Sequence, residues 1–173
     1  MLIAMAGLPA AGKSTLADIL GARLSASVVS VDPIESAILE AGIDSDQPTG
    51  LAAYLVAETI AGLVLESGHD VIVDAVNGVD PAREQWVGLA KSRGETLRFI
   101  EVICSDPEVH RERLEARGRR LPHLNELSWH AVEQSLDEYL PWAGASAAVP
   151  RITLDSARPL GVNVDAALAF ITT

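Results

Sequence analysis

A single cysteine, Cys104, occurs in 173 residues, so no internal disulfide is possible and the fold must stand on packing alone. Cys104 closes an apolar run from Ile100 and is expected to be a small buried hydrophobe, because a reactive thiol needs a cationic, exposed setting. Aromatic residues are only 4% of the chain against 49% hydrophobic, which leaves Ala, Val, Leu and Ile to build a core between layers of helix and sheet. Lysine is equally scarce: Lys13 and Lys91 are the only two, and the net charge is −11. That balance argues against a surface that holds long nucleic acid, which works by neutralising many phosphates. The longest apolar stretch, Leu51 to Leu65, contains Glu58 and falls short of the roughly 20 residues a membrane span needs. No basic-then-apolar leader precedes Leu2. The expectation is a soluble, cytoplasmic protein with no membrane partner, a monomer or homodimer that acts on small metabolites.

What is present alternates short apolar runs with helical patterns. Leu2–Ala6 reads as a strand ending at glycine, and apolar residues recur at helical spacing from Thr15 to Leu24. Ser27 to Val31 is a second strand closed by Asp32-Pro33, with Pro33 opening a helix to Glu40. A long helix, Leu51 to Glu66, precedes a third strand, Asp70 to Asp74. A helix from Ala82 to Lys91, a strand from Leu97 to Cys104 and a helix capped by Ser105-Asp106-Pro107 follow. The remaining pattern is a helix from Asn125 to Leu140, a small-residue loop, a fifth strand at Arg151 to Leu154 and a helix from Val164 to Ile171. Short strands, apolar on both faces and alternating with helices, imply one α/β domain over residues 1–173: a parallel sheet with helices on both faces.

The segment Gly7-Leu8-Pro9-Ala10-Ala11-Gly12-Lys13-Ser14 fits G-x-x-x-x-G-K-[ST] and stands between a strand and a helix, the context that confirms this motif. Small residues let backbone N–H groups wrap a phosphate, and the helix that starts at Thr15 adds its positive end. Gly7 and Gly12 allow backbone conformations closed to other residues. Lys13 is expected to reach the β- and γ-phosphates, and the Ser14 hydroxyl to join a magnesium shell. The implied ligand is ATP with Mg2+.

Ligands of parallel α/β sheets bind beyond the carboxyl ends of the strands, where Asp32 and Asp74 stand. Asp74, after Val71-Ile72-Val73, has the Walker B pattern of a carboxylate that holds magnesium; the alternative is a turn former. Asp32, across the crevice from the phosphates, suits a base that accepts a proton from an attacking hydroxyl; before Pro33 it also suits a helix cap.

Within the acidic background, Arg111, Arg113, Arg117, Arg119 and Arg120 fall within ten positions. Arg113 and Arg117 share a helical face, and mobile arginines on a lid over about 113–123 would neutralise charge developing on a transferred phosphoryl group. Arg117 is the candidate to touch phosphate and Arg113 to stack on adenine, with Arg111 on the solvated face. The alternative is a salt-bridged surface helix, with Glu108, Glu112 and Glu115 as partners. Trp86, Trp129 and Trp142 are core or pocket residues, and His69, His110, His123 and His130 lack metal-ligand spacing and receive no role.

Together, Gly7 to Thr15, the two aspartates, the run Asp106-Pro107 to Arg117 and Tyr139-Leu140-Pro141-Trp142 resemble the P-loop kinases of the AAA-type ATP-binding group, which is similar to chloramphenicol phosphotransferase, gluconate and shikimate kinases and zeta toxins. The resemblance implies a three-layer P-loop fold with a five-stranded parallel sheet of order 2-3-1-4-5, a substrate-covering helical region over about 33–66 and an arginine-bearing lid. It implies that Arg113 faces adenine, Arg117 the phosphates and Asp32 the acceptor hydroxyl. Shikimate kinases carry arginines near strand three where this chain has Val76-Asn77-Gly78, and Ile34 to Leu65 has no Lys or Arg. The expected activity is phosphoryl transfer from ATP to a neutral or cationic hydroxyl compound, an antibiotic, sugar or nucleoside, held partly by Tyr54. The competing expectations are a toxin-type or polynucleotide 5′-end kinase and a non-catalytic ATP-binding switch.

Overall fold

Alternation of inward-facing residues along β1 (Leu2–Ala6) sets the architecture: Leu2 and Ala4 face one layer of helices, Ile3 and Met5 the other, and none of the four has solvent exposure. The computed structural model describes residues 1–117, 121, 123–124 and 128–173, with the side chains of Arg117 and Asp137 outside that description. After β1 come α1 (Lys13–Leu24), β2 (Ser27–Ser30), α2 (Val31–Glu40), α3 (Thr49–Glu66), β3 (Val71–Asp74) and α4 (Asp80–Arg93). Then follow β4 (Leu97–Ile103), α5 (Pro107–Arg117), α6 (Trp129–Glu138), a 3-10 turn at Ser146–Ala148, β5 (Arg151–Asp155) and α7 (Leu160–Thr172). All strand pairs are parallel, in the order β2-β3-β1-β4-β5, as the family resemblance implies.

One face of the sheet packs Ala53, Ala57, Ala61 and Leu65 of α3 and Trp86 and Leu89 of α4 against Val71, Val73 and Phe99. The other packs Leu16 and Leu20 of α1 and Val164 and Ile171 of α7 against Ile72, Ile100 and Leu154. The long helix α3 spans 18 residues with a mean hydropathy of 1.4, longer than the apolar run read from sequence. Its alanine stripe sits on the sheet, which makes it a core helix with an apolar outer face.

Three local expectations are corrected. The second strand stops at Ser30 and α2 begins at Val31, so Asp32 lies in the first helical turn and not at the strand's end; Ser30 occupies the cap position. Cys104 is half-buried just beyond β4, its thiol donating to the carbonyl of Asp106 at 3.3 Å. The helix read from Asn125 is described only from Trp129, where Ser128 caps it by accepting from the Ala131 N–H.

Behind the strand ends lies a buried polar scaffold. Arg83 on α4 has no solvent exposure; it donates to the carbonyls of Asn77, Gly78, Leu140 and Pro141 at 2.8 to 3.2 Å and lies over the Trp142 ring at 4.1 Å. Asn77, also fully buried and at φ 48, donates to the Met5 carbonyl and accepts from the Trp86 indole. Glu101 on β4 accepts from Tyr139, Trp142 and Thr153 at 2.8 to 3.0 Å. The motif Tyr139-Leu140-Pro141-Trp142 therefore ties the chain after α6 to the sheet.

Replacing Arg83 by Leu removes the donor to the buried Asn77 carbonyl, at about 1–3 kcal/mol for a group left unsatisfied, and to the partly exposed Leu140 and Pro141 carbonyls, which water can serve, while the Gly78 carbonyl keeps the Leu140 N–H. Arg83→Leu is therefore expected to lose at least about 1–3 kcal/mol and to unfold at lower urea than the parent, whereas an exposed Arg111→Leu is expected to be near neutral. Burial alone pushes the Glu101 carboxyl up, but the donors Trp142, Thr153 and Tyr139 and the Arg151 charge outweigh it and hold the pKa below the ordinary 4.5. A depressed carboxylate contributes stability that is present above the unfolded value and lost as pH falls through the folded one. Glu101→Gln is therefore expected to flatten the acid limb of stability below about pH 4.5, read from urea midpoints across pH.

Candidate active site

The loop from Gly7 to Gly12 turns sharply because three of its residues adopt left-handed backbone: Gly7 at φ 132, Ala10 at φ 59 and Gly12 at φ 99. Gly7 anchors it, donating to the Val76 carbonyl at 2.9 Å, and a Cβ there would fall 2.1 Å from the Val102 carbonyl oxygen. Lys13, at the first position of α1, donates to the Leu8 carbonyl at 2.9 Å and folds back over the loop. Ser14 and Thr15 are exposed in the first turn of α1, where the helix presents N–H groups.

The loop forms one wall of a cavity of about 670 Å³ lined by Pro9, Ala10, Gly12, Lys13, Ser14 and Thr15. Ser30, Asp32, Asp74 and Val76 line it from the β2 and β3 side of the sheet, and Arg113, Ser156 and Arg158 from the β4 and β5 side. The sequence-derived set is thus brought together: phosphate loop, both aspartates and Arg113 share one space. Leu8 and Ala11 support the loop from behind, Ala11 donating to the Leu8 carbonyl at 3.2 Å. The side chain of Arg117, and Arg119 and Arg120 in the expected lid, lie outside the described residues.

Asp74 is 7% exposed; its Oδ2 accepts from the Ser30 hydroxyl at 3.3 Å, while its Oδ1 is buried with no hydrogen-bond partner. A carboxylate that lines the cavity and keeps one oxygen without a partner suits a hard divalent cation, whose ligands are oxygens. Among the described residues no group of three or more His, Cys, Asp or Glu could hold a metal unaided. This fits magnesium, which takes one or two protein ligands and completes its shell with water and phosphate.

Arg113 donates to the Ser156 hydroxyl at 2.7 Å and to its carbonyl at 2.9 Å, fixing α5 to the loop after β5. Arg111 pairs with Glu115 at 3.1 Å on the solvated face, as its position implied. Tyr54, expected at the acceptor, is outside the cavity lining; its hydroxyl accepts from the Asn77 N–H at 3.2 Å. Burial raises its pKa further than that bond lowers it, and Asp32, Asp74 and Glu35 add to the rise. Trp86 is fully buried core; Trp142 packs edge-on against Phe99, also as core. Sequence reasoning missed Ser156, Arg158 and His110. The first two lie in a loop after a short edge strand, and nothing in their local pattern marks them. His110 has no metal-ligand spacing, and nothing else in its local sequence marks it.

A phosphate-binding loop at the centre of a β2-β3-β1-β4-β5 sheet, with a carboxylate at the end of β3, defines a P-loop nucleotide-binding fold. Residues 2–141 match the family model described as an AAA domain, and the chain belongs to that family. The fold is shared with a kinase candidate from Chloroflexus aurantiacus j-10-fl (24% identity, 98% of this chain and 97% of that chain, TM-score 0.75). It is also shared with Kti12 from Chaetomium thermophilum in complex with ADP-AlF3 (21% identity, 99% of both chains, TM-score 0.74). The Mycobacterium tuberculosis APS kinase CysC in complex with AMPPNP and APS is a third similar structure (16% identity, 99% and 97% coverage, TM-score 0.71). A comparison with curated proteins found no match.

A methyl group at position 7 meets a backbone oxygen that cannot retreat without breaking the register of β4, and the left-handed φ adds strain. Gly7→Ala is expected to cost about 3 kcal/mol or more in urea unfolding. Gly88→Ala, where a Cβ meets nothing within 4 Å, is expected to be neutral or slightly stabilising.

Proposed function

We propose that this protein is an ATP-dependent kinase that transfers the γ-phosphate to a hydroxyl group of a small neutral or cationic molecule. The observation that carries the proposal is the shared cavity, lined by the phosphate loop together with Asp32 and Asp74. Phosphoryl transfer needs positioning and charge stabilisation more than covalent chemistry, and this arrangement supplies both. The loop amides and Lys13 hold the polyphosphate. Ser14 and Asp74 are placed to hold Mg2+, which when bound neutralises charge on the phosphate oxygens. Asp32 accepts the proton of the acceptor hydroxyl and orients its oxygen for in-line attack. The family resemblance assigns Arg117 to the phosphates and Arg113 to the adenine side.

The acceptor class follows from charge. No Lys or Arg stands between Ile34 and Leu65, and Arg83, the basic residue nearest the end of β3, is consumed by backbone carbonyls. An anionic acceptor finds no clamp beside Asp32, whereas an amine-bearing or neutral polyol meets carboxylates. The APS kinase neighbour is in complex with APS, and its fold likeness does not carry that substrate to this chain.

The similarity to Kti12 in complex with ADP-AlF3 keeps a second reading in play, that of a non-catalytic ATP-binding switch. Asp32 separates them. Asp32→Asn is expected to lower transfer to a neutral or cationic hydroxyl panel by 10²-fold or more, the scale of a lost general base, with Mg·ATP affinity within about twofold of the parent. Undiminished ADP release by the variant would reject the kinase role, and consumption of ATP by anionic acceptors alone would reject the acceptor class.

A further inference from the structure

His110, on α5, turns inward to the phosphate loop. It is 5% exposed, and its Nε2 lies 2.7 Å from the carbonyl oxygen of Pro9. A carbonyl oxygen only accepts, so Nε2 carries a proton and donates. Trp129, at the start of α6, closes over the imidazole with ring centroids 5.3 Å apart and planes at 86°, which fixes the ring edge-on. One turn along α5, Arg113 grips Ser156, whose Cβ would lie 3.5 Å from a Cβ at Gly12. The helix α5 thus touches both shoulders of the loop, Pro9 through His110 and the Gly12 side through Ser156.

The Pro9 carbonyl belongs to the same peptide unit as the Ala10 N–H. No peptide bond among the described residues is cis, so the carbonyl and the N–H of this unit point to opposite sides. Fixing the carbonyl on α5 therefore turns the Ala10 N–H away from α5, and both Pro9 and Ala10 line the cavity. Ala10 is also a non-glycine residue in the left-handed region, a conformation that persists only where surroundings hold it. We infer that His110 is a positioning residue for the nucleotide: its hydrogen bond to Pro9 aims the Ala10 amide at the polyphosphate. This rests on the reading of the loop as a phosphate cradle but not on the transfer of a phosphoryl group to any acceptor.

A residue that merely packs α5 lowers stability without distinguishing one ligand from another. A residue that aims a loop amide changes how strongly phosphates are recognised. The test is calorimetric affinity for Mg·ATP and for AMP, which lacks the phosphates the loop encloses, measured on the same preparations. His110→Leu is expected to weaken Mg·ATP about tenfold, the equivalent of one well-placed hydrogen bond, with AMP affinity changed less than twofold. His110→Gln, whose amide N–H reaches a comparable distance, is expected to retain most of the ATP affinity, and the shorter His110→Asn to lose it. If His110→Leu does not fold, the Gln and Asn variants carry the same comparison. An unchanged ratio of ATP to AMP affinity, or equal losses for both ligands, would overturn the positioning role while the kinase proposal stood. Strong, His110-dependent ATP binding without transfer to any acceptor would do the reverse.

Discussion

Everything in this fold that bears on chemistry hangs on the close approach of Gly7 to its two neighbouring strand ends. The peptide N–H of Gly7 bonds the Val76 carbonyl beyond β3, and its Cα passes so near the Val102 carbonyl on β4 that no side chain fits. This pinch lies beside the point where the connections after the neighbouring strands β1 and β3 run to opposite sides, to β2 and to β4, the place at which an open α/β sheet forms a crevice. From it the chain must climb, wrap and enter α1 within six residues, which is why left-handed backbone recurs at Gly7, Ala10 and Gly12. The strain is held in place by packing behind the loop: Ala11 is buried, and α1 seats Leu16, Ala17 and Leu20 on the sheet.

A second constraint acts from the other side of the strand ends. Arg83, Asn77 and Glu101 place charge and amide groups where an α/β core is ordinarily apolar, and each is nearly saturated with partners. Such groups specify geometry because any other arrangement leaves a buried donor or acceptor unmet. Here they specify the path of residues 76–80 and 139–142, which brings the end of α6 back to the sheet. The far end of the region that follows α5 is therefore fixed, as α5 itself is fixed through His110 and Arg113.

Much of this was legible beforehand, for reasons that differ by element. The strands were readable because buried parallel strands are continuous apolar runs, and the phosphate loop because its glycines answer to backbone geometry rather than to distant contacts. The sheet order came through resemblance, since periodicity carries no information on which strands adjoin. Asp32 was placed in the right space on the wrong element: Val31 is as good a strand residue as a helix N1 residue, and the 3.6-residue pattern of α2 starts earlier than Pro33 suggested. Tyr54 and Arg83 illustrate the opposite limit. Both have the chemistry of a substrate contact, and both are turned to backbone groups by contacts with residues 23 and up to 58 positions away, which no local pattern encodes.

The distribution of charge across the cavity gives the proposed reaction its direction. Lys13, Arg113 and Arg158 border the space along the loop and the β5–α7 turn, Asp32 and Asp74 border it at the β2 and β3 side, and Asp18 of α1 also lines it. A polyphosphate tail entering such a space is attracted to the cationic border and repelled by the acidic one, so it is steered into the loop and its terminal group is left facing the carboxylates. The same field disfavours a second anion beside Asp32 and favours an acceptor that is neutral or positively charged. With a net charge of −11 the whole surface repels anions. The local positive wall must therefore owe its strength to proximity and partial exclusion of water rather than to the protein's overall field. That ordering of near over far charge is what lets an acidic protein of this fold hold the most highly charged of the common metabolites.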